Sequence, residues 1–161
     1  MAEAPSVLIR SATRDDVPRI AALLADDPLG RQREETASLE DYLTAYDALA
    51  GDPAVHCLVA VDESGSVIGY VQVTITRHFG YRGAHRALLE DLRVAPAKRG
   101  LGVGTKLIEA AIAAAHSVGC DIVQLFAHHS RQSAHLLYRK MGFHADHLGF
   151  RRTVGKAADP A

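Results

Sequence analysis

Residues 88–115 read LLEDLRVAPAKRGLGVGTKLIEAAIAAA, in succession a strand, a glycine loop and a helix. Leu88, Leu92 and Val94 are apolar strand positions, and Pro96 ends the run because proline cannot donate to a ladder. Behind Lys98 and Arg99 come Gly100, Gly102 and Gly104. Leu107, Ile108, Ala111, Ile112 and Ala115 then recur on one face of a helix. A glycine loop that opens a helix is an anion site. The first N–H groups of the helix have no internal partner, the dipole favours negative charge, and missing side chains let a ligand approach the backbone.

The bounds around this stretch are ordinary ones. At 161 residues the chain is expected to form one domain over 1–154, with a frayed tail at 155–161. A hydrophobic content of 48% and a charged content of 23% fit a globular domain, and a net charge of −1 argues for neither a nucleic-acid nor a membrane partner. No apolar run approaches a membrane span, and MAEAPSVLIR lacks the basic start and apolar stretch of a secretory signal, so a cytoplasmic location is expected. Cys57 and Cys120 sit in apolar strand-like runs and read as buried free thiols. The nine histidines raise the question of a metal, but no H-x-x-x-H or C-x-x-C occurs. His128 and His129 are adjacent and on a strand would point oppositely, so no metal is expected.

Along the chain, 7–10 reads as a short strand. Thr13 then caps a helix, with Asp16 three residues on, and Val17, Ile20, Ala21 and Leu24 line one face. Asp26-Asp27-Pro28-Leu29-Gly30 breaks it. Leu39, Tyr42, Leu43, Tyr46 and Leu49 follow at helical spacing until Gly51 and Pro53. Residues 55–61 and 67–76 form a hairpin around Asp62-Glu63-Ser64-Gly65-Ser66, with Gly69 a candidate bulge position. Residues 77–86 read as a polar loop carrying His78, Tyr81, Arg82, His85 and Arg86. After the central stretch, Gly119 closes the helix, 120–127 is a strand, 131–141 a short helix ended by Gly142, and Phe143 begins a final strand towards Thr153. The order β, α, α, β, β, β, α, β, α, β gives an α/β fold with a mixed, mostly antiparallel sheet.

Two dinucleotide and nucleotide loops fail at the glycine stretch. Thr105 stands where G-x-G-x-x-G needs its third glycine, and Gly104-Thr105-Lys106 inverts the P-loop order. What fits is R-x-x-G-x-G, as Arg99-Gly100-Leu101-Gly102-Val103-Gly104, which resembles the acyl-CoA pyrophosphate loop of the GNAT acetyltransferase superfamily. SAHLLYRKMGF, from Ser133, is similar to that superfamily's A-x-x-L-Y-x-K-x-G-F signature. The element order matches as well, over nearly the whole chain. The resemblance implies a fold whose fourth and fifth strands splay apart to admit CoA. It also implies an early helical region that walls the acceptor pocket, which makes Tyr42 and Tyr46 candidate pocket residues.

Acetyl transfer to an amine has three needs. The amine must lose a proton, because an alkylammonium has a pKa of about 10. The tetrahedral oxyanion needs donors. The thiolate needs a proton. The resemblance assigns the last role to Tyr138, on the inward stripe with Ala134, Leu137 and Met141. It assigns the carbonyl-polarising N–H to Leu92, pantetheine pairing to Val94 with Arg93 between them, and the pyrophosphate to Arg99, Gly100, Leu101, Gly102, Val103, Gly104 and Thr105, with Lys106 as an added charge. Strand alternation puts Glu90 on the face of Leu92 and Val94, which makes it the candidate base, directly or through water. Asp91 is the substitute, since a bulge would swap the faces.

One position departs from the signature. Arg131 stands where many members of the superfamily carry a CoA-binding asparagine. R-x-x-A-H-x-x-Y, as Arg131, Ala134, His135 and Tyr138, resembles aminoalkylphosphonate N-acetyltransferases instead, as does the ending Ala145-Asp146-His147-Leu148-Gly149-Phe150. An arginine near the acceptor suits a phosphonate or carboxylate, while an arginine stapling the helix start is the alternative. His135, one turn before Tyr138, is a candidate to line the site. The expected activity is acetyl-CoA-dependent N-acetylation of a small primary amine. A protein N-terminal or lysine acetyltransferase and a non-catalytic acyl-CoA sensor are the competing readings. Many members dimerise, so a homodimer stands beside a monomer.

Overall fold

The computed structural model describes residues 6–26, 31 and 34–155. The sheet has five strands in sequence order: β1 (Leu8–Ser11), β2 (Val55–Val61), β3 (Val67–Arg77), β4 (His85–Val94) and β5 (Cys120–Leu125). The first four are antiparallel to their neighbours, and β4–β5 is parallel. That parallel pair requires a crossover, which is the helix α3 (Val103–Ser117). The helices α1 (Val17–Ala25) and α2 (Leu39–Ala50) precede the main hairpin, and α4 (Gln132–Lys140) follows β5.

Sequence chemistry accounts for the ends of these elements. Asp16 accepts from the backbone N–H of Thr13 at 2.7 Å and from its hydroxyl at 3.0 Å, and a single 3₁₀ turn then leads into α1. The same carboxylate takes a forked pair from Arg10 at 2.6 and 3.0 Å, which ties β1 to the start of α1. Ser38 and Asp41 cap α2 reciprocally. Gly119, at φ 81°, ends α3 as its sequence position predicts.

The helices cover both faces of the sheet. Val71, Val73, Leu107 and Ile108 are completely buried between β3 and α3. Each such side chain contributes about 1.5–3 kcal/mol of burial. Gly69 permits this approach. A Cβ there would lie 2.8 Å from Leu107 Cδ1 and 3.1 Å from the Arg93 carbonyl oxygen. The sheet does shift register beside it, between Ala60 and Val61 of β2, but close packing is the reason for the glycine. On the opposite face, Val17 and Ile20 of α1 and Tyr46 of α2 lie over Tyr70 and Gln72 of β3.

Three expectations are corrected. His85 and Arg86 belong to β4 rather than to the preceding loop, which narrows to a turn with Tyr81 and Arg82 at φ 52° and 58°. Residues 143–154 form no sixth strand. A strand exists only where another backbone offers a ladder. This segment instead lies across Phe126, whose ring would sit 3.1 Å from a Cβ on Gly149, and it leaves Leu148 and Phe150 exposed. His128 and His129 do not point oppositely. They lie in the turn after β5 with ring centroids 4.1 Å apart, because the alternation rule holds only within a strand. The segment 27–30 and the tail from 156 lie outside the described residues.

Candidate active site

The ladder between β4 and β5 stops at Leu89 opposite Leu125, although β4 runs on to Val94. The last half of β4 therefore has no β5 partner, and its edge opens into a gap between the strands. The glycine turn follows directly. Gly100 and Gly102 adopt φ 77° and 82°, a region that side chains disfavour, and no atom lies within 4 Å of where their Cβ atoms would be. Gly102 opens α3, whose first ladder bond runs from Lys106 N–H to the Gly102 carbonyl at 3.1 Å. The N–H groups of Val103, Gly104 and Thr105 come before that bond and face outward from the helix start.

The cations of this turn are partly committed to structure. Arg99 donates to the Val94 carbonyl at 3.0 Å and pairs with Asp26 at 3.7 Å, so its guanidinium braces the turn against the end of β4. Lys98 pairs with Asp62 at 3.4 Å. Leu101 is half exposed at the tip.

Tyr138 is half-buried in the stripe that packs α4 inward with Leu137 and Met141. Its ring meets Phe143 edge-on at 6.0 Å. Leu137 touches the first turn of α3, 3.5 Å from where a Cβ on Gly104 would be. Burial raises the Tyr138 hydroxyl pKa, and the positive charges of Arg131 and Arg93 oppose that rise. Arg131 thus acts on the tyrosine at the start of α4. His135 is a strap, with a ring nitrogen 3.0 Å from the His128 carbonyl oxygen.

The decisive feature of β4 is a bulge. Gln72 pairs with Glu90 and Tyr70 with Arg93, so one residue of β3 faces two of β4, and Asp91 sits at φ 53°. The inserted residue inverts the alternation. Glu90 shares the face of Gln72, whereas Val94 pairs with Gly69 on the α3 face. The expectation that Glu90, Leu92 and Val94 share a face therefore fails, and Asp91 does not point away from the site.

Asp91 instead lines a cavity of about 140 Å³ between α1, α2 and the sheet. The helices supply Val17, Ile20, Leu24, Ala45 and Leu49, and the rings of Tyr42, Tyr46 and Tyr70 surround the space. Cys57 and Gln72 complete the floor. Tyr46 donates to the Ala12 carbonyl at 2.9 Å, and Tyr70 to Cys57 Sγ at 3.4 Å. Burial pushes the Tyr70 hydroxyl and the Cys57 thiol upward. Glu90 keeps a solvent-facing edge and takes a long hydrogen bond from Thr74 at 3.4 Å. Partial burial, followed by the neighbouring charge of Asp91, raises its pKa.

Residues 18–143 match the acetyltransferase (GNAT) family. The chain belongs to that family. It is 26% identical to the aminoalkylphosphonate N-acetyltransferase of Salmonella typhimurium over 93% of both chains. It is 31% identical to an L-methionine sulfoximine/L-methionine sulfone acetyltransferase of Pseudomonas paraeruginosa, over 86% of this chain and 80% of that one. A crystal structure of a transcriptional regulator from Bacillus halodurans superposes with a TM-score of 0.86 at 34% identity, over 92% of this chain and all of that one. Like its named relatives, this GNAT protein is an N-acetyltransferase.

The anticipated GNAT residues fall into two groups. Leu92, Arg93, Val94 and the glycine turn lie at or beyond the point where β4 leaves β5, and Asp91, Tyr42 and Tyr46 meet in the cavity on the α1/α2 face. Cys57, read from the sequence only as a buried thiol, and Tyr70 and Gln72 were not singled out as site residues. A signal for two of them is there: β3 alternates Tyr70, Gln72 and Thr74 with Val71, Val73 and Ile75, a polar face within an apolar strand.

Proposed function

We propose that this protein transfers an acetyl group from acetyl-CoA directly to the primary amine of a small molecule. The observation that carries the reading is the bulge at Asp91. It sets a carboxylate in a cavity on one face of β4, just where the strand's edge is freed from β5. The glycine turn fits a CoA pyrophosphate, because positive-φ glycines with open space around them leave the helix N-terminus accessible. In this reading Val103, Gly104 and Thr105 N–H groups hold the pyrophosphate, with Gly100, Leu101 and Gly102 shaping the turn and Arg99 bracing it. Leu92 and Val94 present backbone groups to the thioester arm.

The transfer forms one C–N bond and breaks one C–S bond. Asp91 holds the ammonium, and Glu90, its pKa raised by burial and by Asp91, takes the proton directly or through water. The amine lone pair attacks the carbonyl carbon, and collapse expels the CoA thiolate. Tyr138 gives the thiolate its proton, the positive charges of Arg131 and Arg93 ease loss of that proton, and the second proton shed by the acylated nitrogen restores the tyrosine hydroxyl. Thiol release from acetyl-CoA by purified protein across a panel of amines tests the proposal, and acceleration by a small amine is the expected result. Response to peptides alone replaces the small acceptor with a protein one.

A further inference from the structure

We infer that the sheet face beyond Glu90 carries an anion subsite at Arg86, so that the acceptor is an amine with an acid group at its far end. The inference rests on the acetyltransferase reading above and deepens it by naming the substrate class.

Strand register places the two ends. From Arg86 to Glu90 the ladder with β3 is regular: Arg86 pairs with Thr76, Leu88 with Thr74 and Glu90 with Gln72. The bulge comes only after Glu90, so alternation holds here and Arg86, Leu88 and Glu90 share one face. That face continues on β5, with Ile122 beside Arg86 and Gln124 beside Leu88. Glu90 and Thr76 are exposed, and Leu88 and Gln124 are half-buried. A shallow trough therefore runs along the sheet from the candidate base to the arginine.

Arg86 is a cation without an anion. Its Nε is buried and has no hydrogen-bond partner. Among the described residues no carboxylate pairs with its guanidinium. The guanidinium lies instead against the Tyr81 ring, 4.6 Å from the centroid. A buried guanidinium N–H without an acceptor calls for an explanation, and an acid bridging Nε and a terminal nitrogen supplies one. Tyr81 is largely exposed, and an exposed side chain repositions quickly, so the ring covers Nε without sealing it. Tyr81 and Arg82 sit at φ 52° and 58°, a strained turn of the kind that collects at ligand sites. Arg93, opposite Tyr70, is already committed. It lies 3.9 Å from Asp91 and donates to the Leu92 carbonyl at 3.0 Å, so an acid drawn there would compete with Asp91.

The spacing sets the acceptor. Four strand positions span about 13 Å. Hydrogen bonds of about 3 Å, one at Glu90 and one at Arg86, leave about 7 Å between ammonium and acid. An extended chain of about six bonds covers that distance, as in 6-aminohexanoate.

Thiol release across a series of ω-amino acids tests this, with 3-aminopropanoate, 4-aminobutanoate, 6-aminohexanoate and 8-aminooctanoate each set beside the alkylamine of equal length. The value of kcat/KM is expected to peak at 6-aminohexanoate and there to exceed that of hexylamine by about tenfold or more, the worth of a charged hydrogen bond. Arg86→Met is expected to lose the peak and the advantage, Arg86→Lys to keep part of both, and Arg86→Glu to turn the preference towards 1,6-diaminohexane. A melting curve checks that each variant folds, and the wild-type series decides the chain length without them. Alkylamines preferred at every length by the wild type overturn the subsite and leave the acetyltransferase reading standing. So does a peak that stays unmoved in folded Arg86→Met and Arg86→Glu. Absence of thiol release with every amine overturns that reading and the subsite with it.

Discussion

Replacing Asp91 separates two properties that the bulge combines: a left-handed backbone and a carboxylate in the cavity. At φ 53° a β-branched side chain crowds the following carbonyl, while Asp, Asn and Gly tolerate the region. Asp91→Val therefore costs about 1–2 kcal/mol relative to Asp91→Asn. In a domain of this size that is a fall in Tm of about 2–8 °C. Asp91→Gly restores the backbone and melts with Asp91→Asn. Activity follows a different order. A hydrogen bond to a charged group is worth about 1.5–3 kcal/mol, so all three variants lose about 10- to 150-fold in kcat/KM, mainly through KM for the amine. The pH profile gives a third reading. Asp91's charge raises the Glu90 pKa, so removing that charge lowers it, and the acid limb of kcat/KM moves to lower pH in Asp91→Asn. Calorimetric melting and pH-dependent thiol release measure all three. An Asp91→Val protein that melts with Asp91→Asn would refute the strain argument. An Asp91→Asn enzyme within about twofold of wild type in kcat/KM, with an unmoved acid limb, would refute the role of the carboxylate.

Three further outcomes are expected. Tyr138→Phe keeps acetyl-CoA binding but lowers kcat by about 10²–10⁴, as read by thiol release beside a binding titration, and unchanged turnover removes the tyrosine from the reaction. Gly69→Ala forces a methyl against fully buried Leu107 and the Arg93 carbonyl and costs about 1–2 kcal/mol, seen as a lower Tm. Asp16→Asn breaks the forked pair to Arg10 and costs about 1–3 kcal/mol at pH 7. The Arg10 hydrogen bond, joined by those from Thr13, holds the Asp16 pKa below its unfolded value, so this stability is present above a pH of about 4 and lost as pH falls through the folded pKa. The gap in Tm between wild type and Asp16→Asn is thus expected to close in acid.

The apolar periodicities made most of the fold legible. The face of Leu107, Ile108, Ala111 and Ala115 is buried as its spacing predicts, and the glycines at 102, 119 and 142 mark helix boundaries. These signals are local and each has one dominant cause. The bulge had no such signal. Aspartate is only a tolerated residue at positive φ, so nothing in LLEDLRV distinguishes a regular strand from one with an inserted residue. The absent sixth strand failed for the opposite reason. A strand is a property of two backbones, and residues 143–154 do not contain the partner that would decide it. The cavity was half legible, because Tyr42 and Tyr46 lie on one helix face, whereas Asp91 entered it only through the bulge.

The bulge also reconciles two demands that a regular strand cannot meet together. Gln72 holds Glu90 on the cavity face, and Gly69 holds Val94 on the face packed by α3. Val94 follows Glu90 by four positions, an even step, so plain alternation would put both on one face. Either the carboxylate would then meet the packed interior against Leu107, or Val94 would leave the first turn of α3 and face the cavity. One inserted residue changes the parity. The strand can then anchor the helix that carries the glycine turn and, three residues earlier, direct Asp91 to the opposite side. Because the inserted residue is also the one that turns into the cavity, its left-handed strain belongs with the chemistry, as strained backbone positions commonly do.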